Sequence, residues 1–314
     1  MRLRPNKMMR GTRLLSLRII LSLGTACALP PLLKAGVVAQ SFPAGNRPEG
    51  LAFDGSSIWA VNGVDQTVTK LRVNDGSIEG VFPVGREPHY ASFDGASIWV
   101  ANSGDGNVTK LRASDGFLLG TFPAGVNPFG ITFDGANIWV TNPLSNLVTK
   151  LRASDGVIQG SFATGVFPRL LAFDGANIWV ANEFEDTVTK LRASDGALLG
   201  TFPAGPDPFA PRARGDALWV SNLHDATVTK LRISDGAVLG TFEVGSTPTA
   251  IAFDRNSLWV TSCELEGEVL RARIKDPTRS ISYTVQQYPI DILFDGSSIW
   301  VSNLLSNTVS RIHP

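Results

Sequence analysis

The chain reads as an all-β protein: a seven-bladed β-propeller of four-stranded antiparallel blades, with the last blade closed by the N-terminal strand. Two observations carry this reading. All seven tryptophans, Trp59, Trp99, Trp139, Trp179, Trp219, Trp259 and Trp300, recur at spacings of 40, 40, 40, 40, 40 and 41 residues. Short β-prone runs fill each period, and 31 glycines and 19 prolines punctuate them against 18% charge. A period of about 40 residues built this way is that of a propeller blade; a helical repeat would need 3.6-residue periodicity and fewer interior breakers.

The segment before Gln40 stands apart. It carries Arg2, Arg4, Lys7, Arg10, Arg13, Arg18 and Lys34 and no acidic residue, and an apolar run from Ile19 to Ala28 follows Arg18. That run is too short for a membrane anchor and has the shape of a secretory signal. The expected division is a signal peptide over 1–28 and a propeller over 36–314, with a second cleavage site after Ala39. Export to the periplasm, cell surface or extracellular space follows, with no membrane insertion once the signal is gone. Cleavage after Ala39 removes seven of 28 basic residues and none of 28 acidic ones, leaving a net charge of −7. Non-specific nucleic-acid binding needs a cationic surface, so that class is excluded. With Cys27 lost, Cys263 is alone and no internal disulfide forms, so stability must come from packing between blades.

The third repeat shows the four strands of a blade. Its runs are Phe129–Phe133, Ile138–Asn142, Leu147–Arg152 and Val157–Phe162, separated by Asp134-Gly135, by a variable turn and by Asp155-Gly156. The Asp-Gly pairs read as tight turns in which glycine accepts positive φ, and so as scaffold rather than metal ligands. The Ile-Trp-Val run is apolar on both sides, as a strand sandwiched between blades should be. Each Trp is therefore expected to wedge between neighbours, with a gross gain of about 4–6 kcal/mol from about 150–250 Å² of buried indole. Basic residues recur in the third strand (Lys70, Lys110, Lys150, Lys190, Lys230, Arg271, Arg311), with aspartates at Asp75, Asp115, Asp155, Asp195, Asp235 and Asp276. Matched acids point to pairing or solvated outer faces rather than a polyanion grip. The last repeat ends after its third strand. Gly36–Phe42 resembles Gly156–Phe162, and is expected to supply the missing outer strand and seal the ring.

Comparison of the repeats separates scaffold from individuality. Variation falls in two windows: the residues around the proline that opens each blade, and the turn between its second and third strands. In an up-and-down blade both lie at one end, so both are expected on one face, with Glu49, His89, Phe129, Arg169, Phe209, Thr249 and Ile290 ringing the mouth of the channel. Loops on a rigid scaffold are where binding resides, and aromatics with arginine are typical anchors. The candidate binding residues are Arg47, Glu49, Arg86, His89, Tyr90, Phe129, Phe167, Arg169, Glu183, Phe184, Glu185, Phe209, His224, Asp225, Glu264 and Tyr288. No catalytic residue and no metal ligand is assigned. His89 and His224 fall in blades two and five, too far around the ring to share a metal. The carboxylates Glu183, Glu185, Asp186, Asp225, Glu264 and Glu266 leave a hard divalent cation as the alternative to no cofactor. No Gly-x-Ser-x-Gly turn, His-Glu-x-x-His helix or Cys-x-x-Cys pair occurs.

The phrase Ala52-Phe53-Asp54-Gly55-Ser56-Ser57-Ile58-Trp59, with Trp139-Val140-Thr141-Asn142 in the third repeat, resembles the YVTN family of bacterial propeller repeats. The resemblance spans essentially the whole mature chain and implies a seven-bladed propeller in an exported or surface protein. The blade pattern is also similar, more distantly, to streptogramin B lyases, which use a metal ion with His and Glu residues to open a cyclic depsipeptide. That likeness implies His89 or His224 as base and Glu183, Glu185 or Glu264 as metal ligands. The function expected first is a non-catalytic exported binding or scaffold protein, monomeric, that recognises a protein, peptide or glycan. A metal-assisted lyase or hydrolase is the alternative.

Overall fold

Each repeat folds into one antiparallel sheet, because turn residues separate its four β-prone runs and its second run is buried on both sides. The computed structural model describes residues 33–314; the expected signal peptide lies outside them. Blade one consists of Pro48–Phe53, Ser57–Asn62, Thr67–Arg72 and Ile78–Pro83, hydrogen-bonded in chain order. The pattern recurs through blade six, whose strands are Pro248–Phe253, Ser257–Ser262, Glu268–Arg273 and Asp276–Thr284. The described residues form seven sheets and no helix. The innermost strands touch in blade order, and Pro289–Phe294 of blade seven touches Pro48–Phe53 of blade one. The architecture is a seven-bladed β-propeller.

The seam joins the two ends of the described chain. Blade seven contains Pro289–Phe294, Ile299–Asn303 and Thr308–Ile312. Its outer strand is Gln40–Pro43, with Gln40 opposite Arg311 and Pro43 opposite Thr308. The expectation of one strand from Gly36 to Phe42 is corrected here. Leu33–Val38 instead runs parallel to Asp276–Thr284 as a fifth strand on blade six. Ala39 divides the two, its side chain buried in a cluster with Trp259 of blade six and Ile299 and Ile312 of blade seven. Cleavage after Ala39 would thus leave the Gln40–Pro43 strand whole.

All seven indoles are essentially inaccessible to solvent. Trp59 packs among Ile98, Val100 and Leu111 of blade two, Trp99 among Ile138, Val140 and Leu151 of blade three, and Trp300 among Ile58, Ala60 and Leu71 of blade one. They are inter-blade wedges. An aromatic ring from the outer strand completes each join, a phenylalanine in six blades and Tyr283 in blade six: Phe82 lies 5.4 Å from Trp59, Phe122 5.4 Å from Trp99, Phe42 5.6 Å from Trp300 and Tyr283 5.2 Å from Trp259. Five of these rings, Phe42, Phe82, Phe122, Phe162 and Phe202, rest on a glycine of the next blade. A Cβ on Gly116 would lie 2.1 Å from the Phe82 ring, and one on Gly76 2.0 Å from the Phe42 ring. The seam between blades seven and one is therefore built like the other joins.

The recurring lysines depart from the solvated-face expectation, as do Arg271 and Arg311 at 5.1 and 5.3 Å over Trp259 and Trp300, whereas a second basic residue two positions further along the strand, an arginine, meets it. Arg152, Arg192 and Arg232 pair with Asp155, Asp195 and Asp235 at 2.8, 2.9 and 2.9 Å on exposed edges. The lysines turn inward. Lys150 Nζ stands 5.1 Å over the Trp139 ring and donates to Ala193 O at 2.7 Å and Ser194 O at 3.0 Å in the next blade. Lys70, Lys110 and Lys190 make the same cross-blade bond to Ala113, Ala153 and Ile233.

Candidate functional site

The two variable windows meet through backbone hydrogen bonds. Gly63 N donates to Arg47 O, Ser103 N to Glu87 O, Glu183 N to Phe167 O, Leu223 N to Asp207 O and Cys263 N to Thr247 O. Both windows of every such blade thus lie on one face. A buried asparagine closing the second strand holds them there: Asn182 accepts from Gly165 N at 3.1 Å and donates to Thr187 and Thr189 at 3.0 and 2.8 Å. The residue before the opening proline takes positive φ in every blade, at Arg47, Glu87, Asn127, Phe167, Asp207, Thr247 and Tyr288.

The post-proline side chains touch one another in blade order. Glu49 Oε2 lies 2.6 Å from His89 Nδ1. The His89 ring lies 4.8 Å from Phe129, and the Arg169 guanidinium stands 5.1 Å over Phe129 and 5.6 Å over Phe209. Phe129 and Phe209, two blades apart, approach edge-on at 6.4 Å, which places both near the axis. Tyr90 packs edge-on against Phe129 at 5.3 Å. Post-proline residues also meet the first residue of their own blade's second window. His89 Nε2 faces Ser103 Oγ at 3.1 Å, and Arg169 Nε donates to Glu183. Phe167 lies 4.7 Å beneath Arg169 and stacks on exposed Phe184 at 4.6 Å, carrying the aromatic surface from the axis out to the rim.

Charge in this cluster is buried and compensated. Burial alone would raise the Glu49 carboxyl, but His89, then Arg47 at 3.0 Å and Arg169, outweigh it and hold its pKa below the usual value. Burial and the nearby Asp291 and Glu49 carboxylates push the Tyr90 phenol well up. Asp291 is a group the sequence reading passed over. It is pushed up to about 6 by burial, against the opposing effect of hydrogen bonds from Leu51 N and Ile292 N and of the Arg212 charge. It stands where sister blades carry Gly50, Tyr90, Gly130, Leu170, Ala210 and Ala250, and that lone carboxylate in an otherwise uncharged series is the signal that would have found it.

The remaining candidates lie outside the cluster. Arg86 is exposed and pairs with Asp105 at 2.6 Å. His224 is 72% exposed, 3.9 Å from Asp207, beside exposed Asp225. Glu185 is exposed on its turn, Glu264 accepts from Thr247 Oγ1 at 2.6 Å, and Tyr288 is buried with its amide on Glu264 O. Among the described residues, no three His, Cys, Asp or Glu side chains come together to hold a metal ion. The carboxylates proposed as cation ligands therefore do not form one set.

A propeller carrying an aromatic and charged cluster at one end of its axis is the class that fold and site define. No protein-family model matches the chain, and no curated protein sequence matches it. Solved structures of other proteins share the fold, among them the following two. The hydrazine synthase of Kuenenia stuttgartiensis is similar with a TM-score of 0.73 at 16% identity, over 89% of this chain and 98% of that one. A streptogramin B lyase structure is similar with a TM-score of 0.73 at 20% identity, over 90% of this chain and 96% of that one. At these identities the likeness shows the fold alone.

Proposed function

We propose that this chain is an exported binding propeller that recognises a protein, peptide or glycan through its loop face. The observation that carries the reading is the contiguous path Glu49–His89–Phe129–Arg169–Phe209 at the axis, extended by Phe167 to exposed Phe184 at the rim. Aromatic faces with a fixed, charge-compensated arginine offer apolar area and directional hydrogen bonding at low entropic cost. The basic leader supports export.

The test is binding of the chain from residue 40 onward to peptide and glycan arrays, followed by titration of the best ligand. Phe129→Ala and Phe184→Ala are each expected to weaken binding at least about tenfold, as for hot-spot aromatics. Phe117→Ala, on an exposed outer edge, should leave affinity unchanged. Equal affinity across all three variants would overturn the reading.

A further inference from the structure

The loop face holds an arrangement that recognition alone does not call for. We propose that Ser103, His89 and Glu49 form a nucleophile, base and carboxylate relay that transfers acyl groups from carboxylic esters. Glu49 Oε2 lies 2.6 Å from His89 Nδ1, and His89 Nε2 lies 3.1 Å from Ser103 Oγ. A carboxylate against Nδ1 selects the tautomer protonated there and leaves the Nε2 lone pair facing the hydroxyl, the arrangement a general base needs. Arg47 at 3.0 Å helps keep Glu49 ionised, and Phe129 packed on the imidazole fixes its plane. Glu49 and Ser103 are buried, while the His89 side chain keeps 18% of its surface open to solvent.

The scaffold explains why the three residues meet. A post-proline residue touches its counterpart in the next blade and the residue that opens the second window of its own blade, as Arg169 does with Phe209 and Glu183. Only in blade two does this geometry place a serine against a histidine, with a glutamate at the matching position of the preceding blade. The arrangement arises from three variable positions, none of them required by the blade.

In the step, Ser103 Oγ bonds to the ester carbonyl carbon as its proton passes to His89 Nε2. The tetrahedral adduct expels the alcohol, whose oxygen takes that proton, leaving acyl-Ser103. Water then adds to the acyl carbon, giving a proton to His89, and the carboxylic acid departs as Ser103 regains its hydrogen. Ser103 and His89 are the catalytic residues, and Glu49 positions His89. Two features restrain the rate. The amides of Ser103 and Gly104 are committed to Glu87 O and Arg86 O, so they are not poised for the oxyanion, and Ser103 Oγ has competing acceptors in Glu87 O at 3.1 Å and Glu87 Oε2 at 3.3 Å. Esters with good leaving groups are therefore the substrate class.

The test uses the chain from residue 40 onward with p-nitrophenyl butyrate and a fluorophosphonate. The expected results are a nitrophenolate burst equal to the protein concentration and one phosphonyl adduct, mapped to Ser103 by peptide mass spectrometry. Ser103→Ala and His89→Ala should each lower turnover at least about 100-fold, with tryptophan fluorescence confirming the fold. His313→Ala, near the chain's end, should retain it, excluding hydrolysis by that imidazole. Glu49→Gln should lower turnover and shift its pH profile, which a purely structural carboxylate would not do. Turnover unchanged in Ser103→Ala, or an adduct elsewhere than Ser103, would overturn the relay and leave the recognition reading intact, since that reading rests on Phe129 and Phe184.

Discussion

The aspartate five residues before the tryptophan does two things in six of the seven blades. In blade four, Asp174 Oδ1 accepts from the turn amides Ala176 N and Asn177 N, and Oδ2 accepts from Trp179 Nε1 at 2.7 Å. Burial would raise this carboxyl, but the indole, Asn177 and the amides outweigh it and lower its pKa, as they or their equivalents do for Asp54, Asp254 and Asp295. A carboxylate depressed on folding contributes stability above its unfolded pKa and loses it as pH falls through the folded value. Asp291 has the opposite sign. Pushed up to about 6, it binds its proton more tightly folded than unfolded, so lowering the pH from 8 to 5 stabilises the fold. The thermal midpoint should therefore rise between pH 8 and about 5 and fall below about pH 4, near the ordinary carboxylate value. Asp291→Ala should abolish the rise and keep the acid fall. Calorimetry across this range checks both, and a rise that persists in the variant would assign it to another group.

At the scale of the element, the third strand is where residue type and role diverge most. Its lysine and arginine, two positions apart, share a strand face, yet they reach in different directions. The arginine pairs with its own blade's turn, while the lysine crosses to the next blade. Lys150→Met would keep a stem over Trp139 but leave Ala193 O and Ser194 O without their donor, so a loss of about 1–3 kcal/mol is expected. Urea titration at unchanged m-value would register it, and an unchanged midpoint would show that water replaces the ammonium freely. This latch was only half legible in the sequence. The recurrence was visible, but a lysine beside recurring acids reads as solvated until the neighbouring carbonyls are placed, and those lie 43 residues away. Blade five shows the same limit: Arg214 replaces the usual aspartate, stands 5.1 Å from the Phe253 ring and donates to Arg255 O at 2.7 Å across the join. The repeat marks the substitution as odd without saying where the side chain goes.

For the whole molecule, the tryptophan period was enough to count the blades, because one buried indole per repeat leaves one way to stack equivalent sheets. The loop face was legible as two windows and as residue identities. Which members meet was not, since Glu49–His89 joins positions 40 residues apart in neighbouring blades and His89–Ser103 joins the two windows of one blade, contacts that depend on how the blades pack. The N-terminal strand was legible by likeness to a sister strand, yet its division at Ala39 depends on burial between two blades. That division makes the seam testable. A chain beginning at Gln40 keeps the strand opposite Thr308–Arg311, whereas one beginning at Ala44 loses it together with Phe42, the ring that fills the join between Trp300 and Gly76. Loss of a buried phenylalanine alone costs about 3–5 kcal/mol, and the strand's hydrogen bonds go with it. In a closed ring that loss falls on the contact between first and last blades, so unfolding should become less cooperative as well as easier. The chain from Gln40 should melt close to one beginning at Leu29, with a modest decrease for the missing fifth strand on blade six. The chain from Ala44 should melt far lower, with a broadened transition. Equal midpoints for the chains from Gln40 and Ala44 would mean that the inner-strand contacts between blades one and seven hold the ring without Gln40–Pro43.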